Sequence, residues 1–286
     1  MGVELLPIGL ILASALLHAV WNTLVKESGG EEAFMWLMTL ASLLTLLPLF
    51  LLLLPGIRFP LEALPYLLLS GLLQALYYCF LGRAYGVGDL SFVYPIARSS
   101  PLMLLILSPL ILHEEVSIFG VLGILFITLG LYILHLPGLR GPLRPLRSLN
   151  RASVLALLAA LSTALYSLVD KVGVLRVGPL LYAFWLDPFS ALMLTPIVAM
   201  RWSRVRETAE RWMPRIILSG TLMRLSYLMV LIAMPLAQVS YLIGLRQLSV
   251  VIGSLIGVGM LGERHGAIRL LGSTLIFLGA FLIALA

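Results

Sequence analysis

The chain has 286 residues, 61% of them apolar and 11% charged, with a formal net charge of +6. A soluble globular protein is about 45–50% apolar and about 25% charged, so this composition excludes a soluble enzyme, a nucleic-acid binder and a disordered chain. A bilayer-crossing helix takes about 20 apolar residues, and a chain of this length and apolarity holds ten of them, with short loops and no extramembrane domain.

Charges and Pro/Gly clusters punctuate the apolar runs, which predict spans at 5–25, 33–54, 64–83, 90–112, 117–136, 152–171, 180–200, 213–233, 237–260 and 267–286. The first run is followed by Lys26 and Glu27 and by no small-residue cleavage site, so it reads as a span and not as a removable signal. Cys79 lies within an apolar run, which leaves no disulfide framework and no thiolate metal site. Backbone polar groups cannot stay unpaired in lipid, so each run must be a helix or a broken helix buried by its neighbours. The longest polar stretch, 137–151, carries Pro137, Pro142 and Pro145 with Arg140, Arg144, Arg147 and Arg151, and it divides the chain nearly in half.

The two halves resemble one another. Ala19-Val20-Trp21-Asn22 and Lys26 fall on Ala164-Leu165-Tyr166-Ser167 and Lys171. At one constant displacement further on, Trp36 meets Trp185, Leu69-Ser70-Gly71 meets Leu218-Ser219-Gly220, and Tyr78 meets Tyr227. At that displacement Glu114 also meets Glu263, and Gly123 and Gly130 meet Gly272 and Gly279. Five spans per half is an odd number, so the second half enters the membrane inverted. Such a repeat is typical of secondary transporters, with the site at the midplane between the halves. The expected fold is an all-α integral membrane protein of ten transmembrane helices in two inverted five-helix repeats, residues 1–137 and 152–286, joined by the Arg/Pro-rich linker 138–151.

Loops after the odd-numbered spans hold Lys26, Arg83, the linker arginines, Arg201, Arg204, Arg206, Arg211, Arg215, Arg264 and Arg269; the opposite loops hold Arg58, Lys171 and Arg176. Positive residues mark the cytoplasmic side. The expectation is a multi-pass protein of the cell (cytoplasmic, in bacteria inner) membrane, with both termini outside and the linker 138–151 in the cytoplasm.

Arg98, Arg224 and Arg246 lie deep within spans, where each costs about 2.5–3.5 kcal/mol to insert. The acids at depth are Asp170 and Asp187. Basic residues outnumber them, which suits a carboxylate, phosphate or zwitterion better than a bare cation. In span 4, Tyr94 and Arg98 share a face at i, i+4, Ser99 adjoins them, and Pro95 and Pro101 each remove a backbone donor. An arginine fork binds a carboxylate or phosphate through paired hydrogen bonds. Span 9 presents the counterpart, with Tyr241, Gly244, Arg246 and Gln247. Ser14, His18 and Asn22 form a stripe on span 1 beside Trp21, and Ser162, Tyr166 and Asp170 form one on span 6. Arg224 and Tyr227 share a face of span 8, and Asp187 is available to pair with Arg224 or Arg246. His18, Asp170 and Asp187 are the candidates to carry a coupling proton. Asp170 precedes Lys171, so a pair at the membrane surface competes with that role. Glu114 and Glu263 close spans 4 and 9 and suit the capping of the following helix. Gly253 and Gly257 form a GxxxG step fit for close helix packing, which leaves a homodimer open.

The sequence resembles the drug/metabolite transporter superfamily, and within it the ten-helix EamA-type permeases. The resemblance rests on Leu112-His113-Glu114 with Gly123 and Gly130, on Leu261-Gly262-Glu263 with Gly272 and Gly279, and on His18-Ala19-Val20-Trp21-Asn22. It rests also on Arg83-Ala84-Tyr85 and on Gly88-Asp89-Leu90-Ser91 running into Tyr94-Pro95-Ile96-Ala97-Arg98-Ser99-Ser100-Pro101. It covers essentially the whole chain. It implies secondary transport, often export, of amino acids or other small metabolites. Structurally known members often keep both termini in the cytoplasm, whereas the charge distribution here assigns them outward.

The expected function is secondary active transport of a small polar metabolite by alternating access, proton-coupled or exporting. The expected site comprises His18, Trp21, Asn22, Tyr78, Tyr94, Arg98, Ser99, Tyr166, Arg224, Tyr227, Tyr241, Arg246 and Gln247, in a cavity between spans 1, 3, 4, 6, 8 and 9. The expected partners are the small-molecule substrate and the lipid bilayer, with no nucleic acid, metal or organic cofactor and no enzymatic motif. Two rivals carry the same residues: a flippase for a lipid-linked polar headgroup, and a membrane sensor or assembly subunit without transport.

Overall fold

A computed structural model describes residues 4–27, 32–54, 56–88, 90–135, 150–252 and 266–286. The linker from 138 to 149, Gly253, Gly257 and Glu263 lie outside these residues. The described chain is helical, without a strand. Its elements are α1 (Leu5–Glu27), α2 (Glu32–Leu53), α3 (Leu64–Val87), α4 (Leu90–Ala97), α5 (Ser100–Leu112), α6 (Ile118–Leu134), α7 (Arg151–Val177), α8 (Pro179–Ala199), α9 (Trp202–Ala233), α10 (Val239–Leu245) and α11 (Gly266–Ala284). Seven stretches are long and apolar enough to cross a membrane: 5–25, 32–53, 61–87, 93–112, 151–177, 179–199 and 202–233. Three shorter apolar helices, Ile118–Leu134, Val239–Ile252 and Ile268–Ala284, fall where the sequence predicts the remaining spans.

Local chemistry sets the ends of these helices. The Ser117 hydroxyl accepts from Gly120 N at 3.1 Å at the start of α6, and Asn150 Oδ1 accepts from Ser153 N at 2.9 Å at the start of α7, each satisfying a first-turn donor. Gly178, at φ +83, turns α7 into α8 through a conformation that disfavours other residues. The outward faces carry Leu16, Leu44, Ile106, Leu110, Leu192, Phe277 and Phe281, all exposed, the surface a lipid solvent favours and water does not.

α9 exceeds its predicted span by the most. α9 begins at Trp202, well before the expected start at 213. Its first turns are amphipathic: Arg206 pairs with Glu210 at 2.8 Å in i, i+4 spacing, and the Arg211 and Arg215 guanidiniums flank the Trp212 ring at 5.0 and 4.8 Å. These charges hide the helix from a hydropathy reading without preventing it.

The halves meet through reciprocal contacts. A Cβ on Gly123 would lie 2.7 Å from the Gly279 carbonyl, and one on Gly272 would lie 2.8 Å from the Gly130 carbonyl. Gly123 and Gly272 are repeat mates, as are Gly130 and Gly279, so each contact is the image of the other. The order of the contacts makes α6 and α11 antiparallel. Gly71 of α3 likewise packs on the Phe189 backbone of α8, and its mate Gly220 of α9 packs on the Met38 backbone of α2. Absent side chains let these backbones approach closely, which stands in for hydrophobic driving force between helices in lipid.

Candidate substrate cavity

The fourth span of each half is broken at its middle. In the first half α4 ends at Ala97 and α5 starts at Ser100, with Arg98 and Ser99 between them. Pro101 has no N–H to give the Ala97 carbonyl, and Ser99 N bonds Ile96 O at 3.1 Å in the tighter i−3 pattern. In the second half α10 ends at Leu245, and Arg246 and Gln247 form the turn. There no proline is involved: Gln247 N bonds Gly244 O at 3.0 Å and Ser249 N bonds Arg246 O at 3.1 Å, again i−3. An arginine thus stands at each break, and both reach inward.

They converge on His18 of α1, a buried imidazole. Arg98 Nη1 lies 3.1 Å from His18 Nε2, and Arg246 Nη2 lies 3.0 Å from His18 Nδ1. The Trp21 ring meets the imidazole edge-on at 4.9 Å between centroids. The Arg98 guanidinium sits 5.1 Å from the Tyr94 ring centre and that of Arg246 5.4 Å from the Tyr227 ring centre. Among the described residues neither arginine has a carboxylate partner.

The third deep arginine is matched. Arg224 and Asp187 form a buried ion pair through both carboxylate oxygens, and the Ser42 hydroxyl donates to Asp187 Oδ2 at 2.7 Å. Of the two pairings open to Asp187, this is the one adopted. Asp170 is fully buried and forms no ion pair among the described residues; it accepts from the Tyr182 hydroxyl at 2.8 Å and from the Tyr227 hydroxyl. The surface pair of Asp170 with Lys171 does not form. Lys171 instead pairs with Glu114 and donates to the Ala237 carbonyl at 2.8 Å. Glu114 does not cap the following helix, a task Ser117 performs; its carboxylate accepts from Val239 N, the first residue of α10 in the other half, at 3.1 and 3.0 Å. Glu114, Lys171 and Val239 therefore clasp the two halves together at one end.

These elements enclose a cavity of about 90 Å³. Of the predicted residues, His18, Trp21, Tyr78, Arg98, Tyr166, Arg224, Tyr227, Arg246 and Gln247 line it. Four do not. Asn22 turns back to the His18 carbonyl at 2.7 Å, and Ser99 bonds the Ile96 carbonyl at 2.7 Å. Tyr94 stacks on His135 at 4.8 Å and supports Arg98 from behind. The Tyr241 hydroxyl accepts from Ser117 N at 2.8 Å, its ring lying over Gly120, where a side chain would collide with it. Sequence reasoning missed Gln74 and Tyr77 of α3 and Thr163 of α7, and it left α2 and α8 out of the cavity wall, to which they contribute Thr39, Ser190 and Asp187, the last named only as a proton-coupling candidate. Gln74 and Tyr78 stand at i, i+4, the one signal that could have brought Gln74 in.

A model of the EamA-like transporter family matches residues 5–136 and again 150–285, one match in each half. The chain belongs to the EamA-like transporter family. This family sits in the drug/metabolite transporter superfamily, and its members are transporters and not enzymes, so the protein is a multi-pass membrane transporter. A solved crystal structure, described only as that of a protein, shares the fold at a TM-score of 0.73, with 16% identity over 97% of this chain and 96% of that one. No curated protein matches the sequence.

Proposed function

We propose that this transporter is a secondary carrier for a small metabolite bearing a carboxylate or phosphate, working by alternating access between two inverted five-helix repeats. The observation that carries the reading is the meeting of Arg98 and Arg246, one from each half, at one cavity without an acid between them. Two guanidiniums without an acid partner favour an anion or the acidic end of a zwitterion, and they disfavour a cation. Breaks at equivalent places in both halves support alternating access, since rocking of one repeat against the other leaves both arginines at the site. The reciprocal glycine contacts of α6 with α11 support the inversion, and with it ten spans. The Lys/Arg distribution supports termini outside and a cytoplasmic linker 138–151.

Asp170 is the proposed coupling carboxylate. It is buried, accepts from two tyrosine hydroxyls, has no ion-pair partner among the described residues, and touches the cavity through Tyr227. Asp187, already neutralised by Arg224, holds the bundle together instead.

The test is flux in proteoliposomes. Radiolabelled amino acids, monocarboxylates, phosphate esters and cationic amines are offered with and without a proton gradient, to the wild type and to Arg98→Gln. Transport of an acidic or zwitterionic compound, lost in Arg98→Gln while that variant inserts and folds, is the expected result. Transport of cations only, or undiminished transport by the variant, contradicts the reading.

A further inference from the structure

The clasp of two arginines on His18 is short of acceptors. A guanidinium N–H can only donate, and a neutral imidazole offers one acceptor nitrogen and one N–H; a protonated imidazole offers none. Yet both ring nitrogens of His18 face an arginine donor, at 3.1 and 3.0 Å. In every tautomer and protonation state at least one of these contacts sets a donor against a donor. Two more donors at the cavity wall are buried without a hydrogen-bond partner among the described residues, Arg246 Nε and Trp21 Nε1. Native structures pair such groups. One buried acceptor of the wall, Gln247 Oε1, also has no hydrogen-bond partner among the described residues, but between Arg98 and Arg246 themselves the donors outnumber the lone pairs.

A carboxylate supplies them. It accepts at two oxygens, with about four lone-pair sites in all. Those oxygens lie about as far apart as the two nitrogens of an imidazole. A carboxylate in place of the His18 ring therefore meets both guanidiniums at once, and every contact becomes donor to acceptor.

We propose that His18 is a stand-in for the substrate's carboxylate: its imidazole holds the bridging position between Arg98 and Arg246, and the substrate displaces it. The proposal rests on the anion-site reading above and gives it a chemical class, a single carboxylate bridged by two arginines. It makes His18 a competitor of the substrate and not one of its ligands. It also links occupancy to helix contacts. Through His18, α1 meets both broken spans at their arginines. When the carboxylate takes its place, the two breaks stay bridged to each other while α1 is released. A ligand shifts a conformational equilibrium only through such a difference in contacts between states.

The probes are acetate and its cationic counterpart of similar size, methylammonium, titrated at matched ionic strength into the purified full-length protein, with affinity read from thermal stabilisation. Acetate binding that tightens about tenfold in His18→Ala, the scale of one hydrogen bond to a charged group, and that disappears in Arg98→Gln and Arg246→Gln, is the expected result. Weaker acetate binding in His18→Ala than in the wild type overturns the proposal, because His18 is then a ligand of the anion. The imidazole ¹⁵N resonances of the wild type give a second reading should His18→Ala fail to fold. They move when acetate saturates the protein if the ring is displaced, and acetate binding that leaves the His18 resonances in place overturns the proposal. If the wild type and both arginine variants bind only methylammonium, the anion-site reading itself fails, which is distinct from either result for His18.

Discussion

Asp187 and Arg224 neutralise each other inside the helical bundle, their side chains 8% and 2% exposed. That pair sets one of the three deep arginines apart from the other two. With Arg224 matched and Asp187 spent, Arg98 and Arg246 keep the only positive charges at the cavity wall without an acid partner among the described residues.

Removing one member of this pair strands the other in an apolar interior. Arg224→Ala or Asp187→Asn should cost about 3–5 kcal/mol of stability, whereas replacing both with apolar residues of like size, Arg224→Met with Asp187→Leu, should recover much of the loss. Thermal unfolding in detergent of the two single variants and the double variant checks this. A double variant no more stable than the worse single one would mean that the pair does more than neutralise charge.

The α6–α11 crossing depends on missing side chains. Gly123→Ala puts a Cβ against the Gly279 carbonyl, and overpacking of this kind costs about 1–3 kcal/mol. Gly9 of α1 has open space around it, so Gly9→Ala should be neutral or should stabilise by about 0.5–1 kcal/mol, the cost of glycine within a helix. Equal melting temperatures for the two variants would refute the crossing as described.

Asp170 should separate proton movement from binding. In Asp170→Asn the amide keeps contact with Tyr182 and Tyr227 but carries no titratable proton. Stabilisation by acidic ligands should persist while substrate-driven pH change inside pyranine-loaded liposomes disappears. Retained proton movement at wild-type rate would assign coupling to another group.

The Glu114–Lys171 clasp joins the halves at one end. Glu114→Gln removes the charge that Lys171 pairs with and weakens the cap on Val239. A cysteine placed at Thr163, on the cavity wall, should then react faster with a bulky thiol reagent than it does beside intact Glu114. An unchanged labelling rate would show that the clasp does not govern access.

Much of this was legible in the sequence because charge is conspicuous in an apolar run. Arg98, Arg246, His18 and Asp170 stand out wherever the helices point, and matched Trp, Glu and Gly residues reveal the repeat before any coordinates. The directions of other side chains were not legible. A membrane helix is apolar on its lipid face and on much of its inner face, so periodicity gives little indication of which side looks inward. Tyr77 entered the site unannounced for this reason, and Tyr241, a reasonable candidate, left it. The pocket that accepts Tyr241 exists because Gly120 has no side chain, a long-range fit that no local pattern encodes. Lys171 is similar: its neighbour in sequence is Asp170, but its partner, Glu114, lies in the other half.

The most direct measurement is a thermal-shift comparison of the wild type, Arg98→Gln and Arg246→Gln against carboxylates, phosphates, zwitterions and cations. A ligand that binds only the folded state stabilises it by about 2.7 kcal/mol at a hundred times its Kd. The account predicts stabilisation of the wild type by carboxylate-bearing compounds and its loss in both arginine variants. Stabilisation by cations in place of acids, or by acids to the same extent in all three proteins, would contradict it.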